Sequence, residues 1–284
     1  MTILQTAGWE DYELLDSGNG YRLERFGRYT IAKPDPQAIW QPRLSESDWG
    51  KADAKFEKAE GKEGWVKKTE IPEKWLLRYK GLSFYAKLTP FKHTGVFPEQ
   101  QLHWDWMQGK IAARKEQSSV LSLFGYTGIA SLVAAGAGGK VTYVDASRPA
   151  IGWARENQEA SNLEEKPMRW ILDDATTFVE REIRRGNKYD AIIMDPPIYG
   201  HGPDGKVWDF PKSFPELVRL CSEVLSQKPL FVIVNAYAIS ASALMLENVL
   251  QDYLKTGKTE VGELVLEEKS AKRLLSTGIF ARWS

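Results

Sequence analysis

Ala191-Ile192-Ile193-Met194-Asp195-Pro196-Pro197 is an apolar run closed by an acid and two prolines. A short, bounded apolar run with β-branched residues at its centre reads as a buried strand of a parallel sheet. The acid and prolines then stand at the strand's carboxyl end, where open α/β sheets bind ligands. Pro197 fixes its own φ and restricts Pro196, so the backbone beside that position is stiff. An aspartate held there can accept hydrogen bonds from whatever binds. Upstream, Val120-Leu121-Ser122-Leu123-Phe124-Gly125-Tyr126-Thr127-Gly128 gives a second strand that ends in a glycine turn. Two ligand-end signals in one alternating pattern point to a nucleotide-like cofactor.

Outward from these strands, helices and strands alternate from Glu99 onward. Helical text covers residues 99–114, 129–137, 149–161, 175–185, 214–225 and 240–254. Strand text covers residues 120–124, 140–144, 169–172, 191–194 and 230–235, followed by two strands at 260–267 and 277–283. The alternation predicts a mostly parallel sheet with helices on both faces. No helix separates the last two strands, so the sheet closes with an antiparallel hairpin. Residues 1–95 read as a small β-rich domain, with strands at 10–15, 21–26, 29–32, 75–79 and 82–88. Ser47 to Lys62 is charged and reads as an exposed helix or mobile loop. Residues 96–284 form the second domain. The fold class is therefore α/β, with a small N-terminal β-rich domain added.

Several residues are candidates for chemistry. The turn at Phe124, Gly125, Tyr126, Thr127 and Gly128 has two glycines, where the dinucleotide fingerprint needs three, and any α/β unit can show such a turn. Asp145 ends the next strand, followed by Ala146 and Ser147. An acid there either accepts from both hydroxyls of a ribose or simply precedes the helix that Ser147 caps. Asp174, in Asp173-Asp174-Ala175, either accepts from an adenine amino group or caps the helix beginning at Ala175. Tyr199-Gly200-His201-Gly202-Pro203-Asp204-Gly205-Lys206-Val207-Trp208 is a glycine-rich loop suited to a lid or substrate clamp. In it Tyr199 and Trp208 can stack a planar group, Lys206 can meet a phosphate, and His201 is either a base or solvent-exposed. Arg181, Arg184, Arg185 and Lys188 read as a solvated helix end, with RNA contact the lesser alternative.

Taken together, Leu123-Phe124-Gly125-Tyr126-Thr127-Gly128, Val144-Asp145-Ala146-Ser147 and Asp195-Pro196-Pro197 resemble class I S-adenosylmethionine-dependent methyltransferases. They are most similar to the bacterial 23S ribosomal RNA methyltransferase group. The resemblance implies a Rossmann-like seven-stranded sheet and S-adenosyl-L-methionine at the strand ends. Residues 124–128 would lie beside its methionine part, Asp145 at its ribose and Asp174 at its adenine. Gly95-Val96-Phe97-Pro98-Glu99-Gln100 also looks familial, which would bring Glu99 and Gln100 to the amino-acid end. The alternative is an ordinary helix start. The catalytic group implied is Asp195, Pro196 and Pro197 with Tyr199, acting on a base of ribosomal RNA. Members that methylate cytosine C5 use a cysteine, which some carry after the fifth strand; here that place reads Val234-Asn235-Ala236-Tyr237, so that mechanism is disfavoured. A small molecule or protein as acceptor, or a nicotinamide-dependent reductase, are the competing readings.

Composition bounds these readings. Acids and bases balance at 38 each, so no global field draws the chain to nucleic acid or membrane, although a local basic face remains possible. One cysteine, Cys221, permits no internal disulfide, and three histidines off ligand spacing argue against a structural metal. Met1 to Asp16 lacks the basic and apolar segments of a secretory signal, and no apolar run approaches the roughly 20 residues of a membrane span. A cytoplasmic enzyme without metal is the expectation.

Overall fold

The computed structural model describes residues 1–59, 62–202, 205–237 and 241–284. Pro203 and Asp204 of the glycine-rich loop, and Ser240 at the expected start of the last helix, lie outside the described residues. The chain divides into two units. The larger comprises Met1–Leu4, Leu102–Leu264 and Thr277–Ser284; the smaller comprises Gln5–Gln101 and Val265–Ser276. A boundary drawn once in chain order does not express this grouping, because residues near the C-terminus cluster with the N-terminal segment.

The large sheet contains β1 (Thr2–Thr6), β2 (Ser119–Leu123), β3 (Lys140–Asp145), β4 (Met168–Leu172), β5 (Ala191–Met194), β6 (Phe231–Ala236), β7 (Thr259–Glu267) and β8 (Leu274–Trp283). Their order is β1-β7-β8-β6-β5-β2-β3-β4. The seven expected strands are present, and β1 adds an eighth at the edge. Strands β2 to β6 are parallel, and β8 runs antiparallel to β6. The chain leaves β2 for β3 on one side and later returns to β5 on the other, so β2 marks the topological switch point. One rung crosses all five parallel strands: Ile171, Val144, Leu123, Met194 and Val234 are register partners in turn. The next residue on each strand therefore belongs to a single row of tips: Leu172, Asp145, Phe124, Asp195 and Asn235.

Helices α1 (Gln101–Ala112), α2 (Ile129–Gly136), α3 (Arg148–Ala160), α4 (Ala175–Arg185), α5 (Phe210–Val224) and α6 (Ala243–Tyr253) connect and flank these strands. Phe178 of α4, Leu217 and Cys221 of α5, and Leu246 of α6 share one core with Leu121, Leu123, Ile192, Met194, Val232 and Val234. Strand alternation sends Ile193, Ile233 and Asn235 to the opposite face. There Trp106 of α1 meets the Phe231 ring at 5.2 Å. Caps fix where the helices start: Ser147 Oγ accepts from Ala150 N–H at 3.3 Å, and Asp174 Oδ1 accepts from Thr177 N–H at 2.9 Å. Helix α5 starts earlier than expected, at Phe210, because Pro211 is tolerated in a first helical turn.

The smaller unit carries a five-stranded sheet of Tyr12–Gly18, Tyr21–Phe26, Tyr29–Pro34, Ala54–Ala59 and Lys62–Lys67, and a separate hairpin of Trp75–Tyr79 with Leu82–Ala86. The Ser47–Lys62 expectation is corrected. A one-turn helix, Glu46–Trp49, is followed by a strand pair in which buried Phe56 meets Trp65 edge-on at 5.3 Å. High charge density hides the period-two pattern around Phe56 when the sequence is read alone. Aromatic packing of Trp9, Tyr12, Phe26, Tyr79 and Phe84 supports this unit.

Within it, Glu24 is fully buried and pairs with Lys33 at 2.9 Å and Arg22 at 3.3 Å, while accepting from Tyr12 Oη at 2.8 Å. Glu99 is buried in the same unit, and burial pushes its carboxyl up to about 7 against the opposing charges of Arg22 and Lys33. A carboxyl raised from about 4.5 contributes stability that is complete below that value and is lost as pH climbs to about 7. Glu99→Gln is expected to remove this component. The wild-type thermal-stability profile minus that of the variant should fall across this pH window, and a flat difference curve contradicts the assignment.

Candidate cofactor and acceptor site

The site is built on the row of tips. After β2 the chain turns through Phe124, Gly125, Tyr126, Thr127 and Gly128, with left-handed φ at Phe124 (55°), Tyr126 (46°) and Gly128 (79°). For the two bulky residues this conformation costs roughly 1–2 kcal/mol each. Such strain persists only where the surroundings enforce it, and it concentrates at ligand sites. The enforcement is visible. Tyr143 Oη donates to the Tyr126 carbonyl, and Asn157 Nδ2 donates to the Thr127 carbonyl at 2.8 Å. A Cβ on Gly125 would stand 2.2 Å from the Tyr143 ring, and one on Gly128 would stand 2.7 Å from Ala154 Cβ. Neither Tyr143 nor Asn157 is marked by any local sequence pattern, and both were missed in the sequence reading.

Asp145 lies opposite this turn. Its Oδ2 accepts from Tyr126 N–H at 2.8 Å and its Oδ1 from Ser147 N–H at 2.8 Å. Burial pushes the carboxyl up from the ordinary aspartate range, while the Ser147 and Tyr126 N–H groups hold it down. A carboxylate has about four acceptor positions on its two oxygens. One position on each oxygen is used, so one on each remains. Those two acceptor positions fit the vicinal hydroxyls of a ribose, which donate. Asp145 thus also anchors the turn, which the sequence reading did not foresee.

Asp174 caps α4 and is 8 % exposed. Thr177 N–H and Oγ1 both donate to its Oδ1 at 2.9 Å, and Lys206 Nζ lies 3.4 Å from the same oxygen. Ala175 follows, buried. Asp173, beside it, pairs with Arg181. Arg185 pairs with Glu182 at 2.7 Å and Lys188 donates to the Glu223 carbonyl, in keeping with a solvated helix end.

Beyond β5, Asp195 is half-buried, Pro196 buried and Pro197 exposed. The glycine-rich segment is not a featureless loop: Tyr199–His201 pairs antiparallel with Val207–Asp209. Trp208 is buried, donates from Nε1 to the Pro197 carbonyl at 2.6 Å, and packs on the Phe124 ring at 4.9 Å. It ties this hairpin to the glycine turn, so its ring is already engaged. Lys206 likewise faces Asp174. Tyr199 is 59 % exposed, with His201 at 5.3 Å.

The strand ends thus bring together Phe124, Gly125, Tyr126, Thr127, Gly128, Asp145, Ala146, Ser147, Asp174, Asp195 and the Tyr199 hairpin. Glu99 and Gln100 instead belong to the smaller unit, where Glu99 sits in the buried charge cluster. Cys221 is 2 % exposed in α5, and burial pushes its thiol up. Among the described residues no three His, Cys, Asp or Glu side chains are grouped to hold a metal ion, and no helix is long and apolar enough to cross a membrane.

Known proteins share these features. A family model described as S-adenosylmethionine-dependent methyltransferase matches residues 56–254. A solved SAM-dependent methyltransferase from Agrobacterium tumefaciens is 42 % identical, covers 100 % of this chain and 93 % of that one, and superposes with a TM-score of 0.96. A methyltransferase structure complexed with SAH is 19 % identical, covers 98 % and 76 % of the two chains at a TM-score of 0.75, and shares the fold. Among curated relatives, the protein named ribosomal RNA large subunit methyltransferase K/L of Alteromonas mediterranea is 29 % identical over 193 residues, 63 % of this chain and 26 % of that protein. Its namesake of Pseudoalteromonas atlantica is 33 % identical over 141 residues, 49 % and 19 % of the respective lengths. The chain spans about a quarter or less of these relatives. With the family model covering most of the chain, and the strand ends carrying a diol-competent aspartate beside a strained glycine turn, the chain belongs to the S-adenosylmethionine-dependent methyltransferase family.

Proposed function

We propose that the protein methylates a nucleophilic nitrogen or oxygen on a base of ribosomal RNA. The observation that carries this reading is the tip row itself. Asp145 and Asp195 flank the Phe124 turn in a chain whose curated relatives bear the name of ribosomal RNA methyltransferases. S-adenosylmethionine supplies an already activated methyl group, so the protein's part is alignment and exclusion of water. Asp145 holds the ribose, the Phe124–Gly128 turn lies along the methionine part, and Asp174 Oδ2 is the oxygen left for the adenine amino group. Asp195 accepts from the incoming acceptor, held by the stiff Pro196-Pro197 backbone.

The absence of an activated thiol narrows the acceptor. Carbon at C5 of cytosine must be made nucleophilic by a cysteine. The chain's one cysteine is packed in a helix with its thiol pushed up by burial. The acceptor atom therefore carries its own lone pair. A base within a helix must leave the stack to reach the site, and exposed Tyr199 is suited to stack on it.

The test is transfer of labelled methyl from S-adenosylmethionine to deproteinised ribosomal RNA from a strain lacking the protein, followed by mass spectrometry of the nucleosides. One new methylated nucleoside supports the reading. Label found only on small molecules or protein overturns the RNA assignment. Tyr199→Ala is expected to lower kcat/KM roughly 10–100-fold, the worth of one base–aromatic stack, and Tyr199→Phe should retain activity. Cofactor affinity should be unchanged in both. Full activity in Tyr199→Ala removes the stacking role.

A further inference from the structure

The last residue in the tip row is Asn235. It follows the Met194–Val234 register pair on β6, as Asp195 does on β5, so the two occupy adjacent tips. Val234 and Met194 face the core shared with α4, α5 and α6, and alternation turns Asn235 to the other face, at the tip beside Asp195. Asn235 is 4 % exposed, and its Oδ1 is buried without a well-formed hydrogen bond. His103 of α1 is 2 % exposed, with Nε2 in the same condition. Arg282 of β8 donates from Nε to His103 Nδ1 at 2.7 Å and from Nη2 to the Leu102 carbonyl at 2.7 Å, with its guanidinium over Trp106 at 5.0 Å.

Hydrogen-bond chemistry gives this group a direction. A guanidinium only donates, so His103 Nδ1 must present a lone pair. Burial first, and the Arg282 charge second, push the imidazole well below its ordinary range, against the favourable Asn235 side chain. The ring is therefore neutral with its proton on Nε2. The two orphaned atoms, Nε2–H and Asn235 Oδ1, are then a complementary donor and acceptor, and the Asn235 side chain is within reach of the ring. Burial lowers the Arg282 guanidinium to about 10, and Glu260, whose Oε2 lies 3.9 Å from Arg282 Nη1, opposes that shift; Lys110 Nζ of α1 stands 5.1 Å from the same Trp106 ring. With Oδ1 committed to His103, the amide Nδ2–H₂ of Asn235 points away from it, at a strand tip next to Asp195.

We propose that Arg282 and His103 are positioning residues that orient Asn235 as the hydrogen-bond donor reading the methyl acceptor. Asp195 accepts an N–H from the acceptor, and Asn235 donates to a carbonyl oxygen or ring nitrogen next to it. The substrate class is then a planar group with neighbouring donor and acceptor, an amide or amidine edge. This rests on the reading that the acceptor enters beside Asp195.

Two measurements decide it. Long-range ¹H–¹⁵N NMR of histidine-labelled protein at pH 7 should show His103 as the neutral Nε2–H tautomer, and Arg282→Met should abolish that fixed preference. An Nδ1–H tautomer or an imidazolium overturns the relay. In methyl-transfer assays on deproteinised RNA, Asn235→Asp, which exchanges donor for acceptor, and Asn235→Leu, which keeps volume, should each raise acceptor KM roughly tenfold or more. SAH affinity by calorimetry should stay within twofold, which also reports an intact site. Unchanged acceptor KM in both variants overturns the proposal. If the wild-type enzyme transfers nothing to RNA, the RNA reading fails, whereas the tautomer still decides the orientation of Asn235.

Discussion

Asp145→Ala should weaken S-adenosylmethionine or SAH binding by roughly 100-fold or more. Two charge-assisted hydrogen bonds to ribose hydroxyls are lost, each worth about 1.5–3 kcal/mol, and the turn loses the acceptor for Tyr126 N–H. Asp145→Asn is informative because it keeps the shape. One of its two atoms becomes an NH₂ facing the backbone N–H of either Tyr126 or Ser147, two donors opposed. It should therefore bind far more weakly than wild type despite its size. The pH dependence has a definite sign. Burial raises the carboxyl in the free protein, and hydroxyl donors from a ligand favour its ionised form. Binding thus releases protons within the window between the free and bound values. Affinity rises with pH through that window and is flat above it. Calorimetry in buffers of different ionisation enthalpy measures the release directly. Wild-type affinity in Asp145→Ala would remove this residue from the site.

Gly125→Ala should be strongly damaging to the glycine turn of the site. Its new Cβ would meet the Tyr143 ring at 2.2, 2.5 and 2.9 Å, far inside contact distance. Tyr143 has no room to yield: it is fully buried, its hydroxyl is bonded to the Tyr126 carbonyl, and its ring meets Trp170 at 4.7 Å. Overpacking of this kind costs about 1–3 kcal/mol, and the upper end of that range corresponds to a melting temperature lower by roughly 6–12 °C. Because the displaced atoms form the turn, cofactor affinity should fall as well. A double-mutant cycle identifies the cause. In a Tyr143→Ala background the same glycine substitution should cost little, since the obstructing ring is gone. Additive losses would show that the turn fails for another reason.

Buried parallel strands announce themselves as bounded apolar runs, so the strand Ala191–Met194 was legible to the residue, and the helix Ala175–Arg185 was legible from its Asp174 cap and its basic last turn. Their ends were legible too, because Gly, Asp and Pro have few reasons to follow an apolar run other than a turn or a ligand. What escaped was structure held by partners distant in sequence. The edge strand Thr2–Thr6 pairs in a sheet whose other members begin more than a hundred residues later. The Tyr199–Asp209 hairpin has three-residue strands, too short for alternation to register, and is pinned by Trp208 against Phe124. Val265–Ser276 joins the smaller unit through Glu268, whose carboxylate is fully buried between Ser17 and Arg273, a pairing no local pattern signals. The same holds at the site. Asp145 and Asp195 are visible because their position on a strand carries the meaning. Tyr143, Asn157, His103 and Arg282 act by contact, and a contact between residues 103 and 282 leaves no trace in either neighbourhood.

The most direct measurement is a crystal structure of the protein with SAH. Both ribose hydroxyls should lie within hydrogen-bonding distance of Asp145, one on each oxygen, with the thioether beside the Phe124–Gly128 turn and facing Asp195. SAH bound elsewhere, or with its ribose turned away from Asp145, contradicts the site described above.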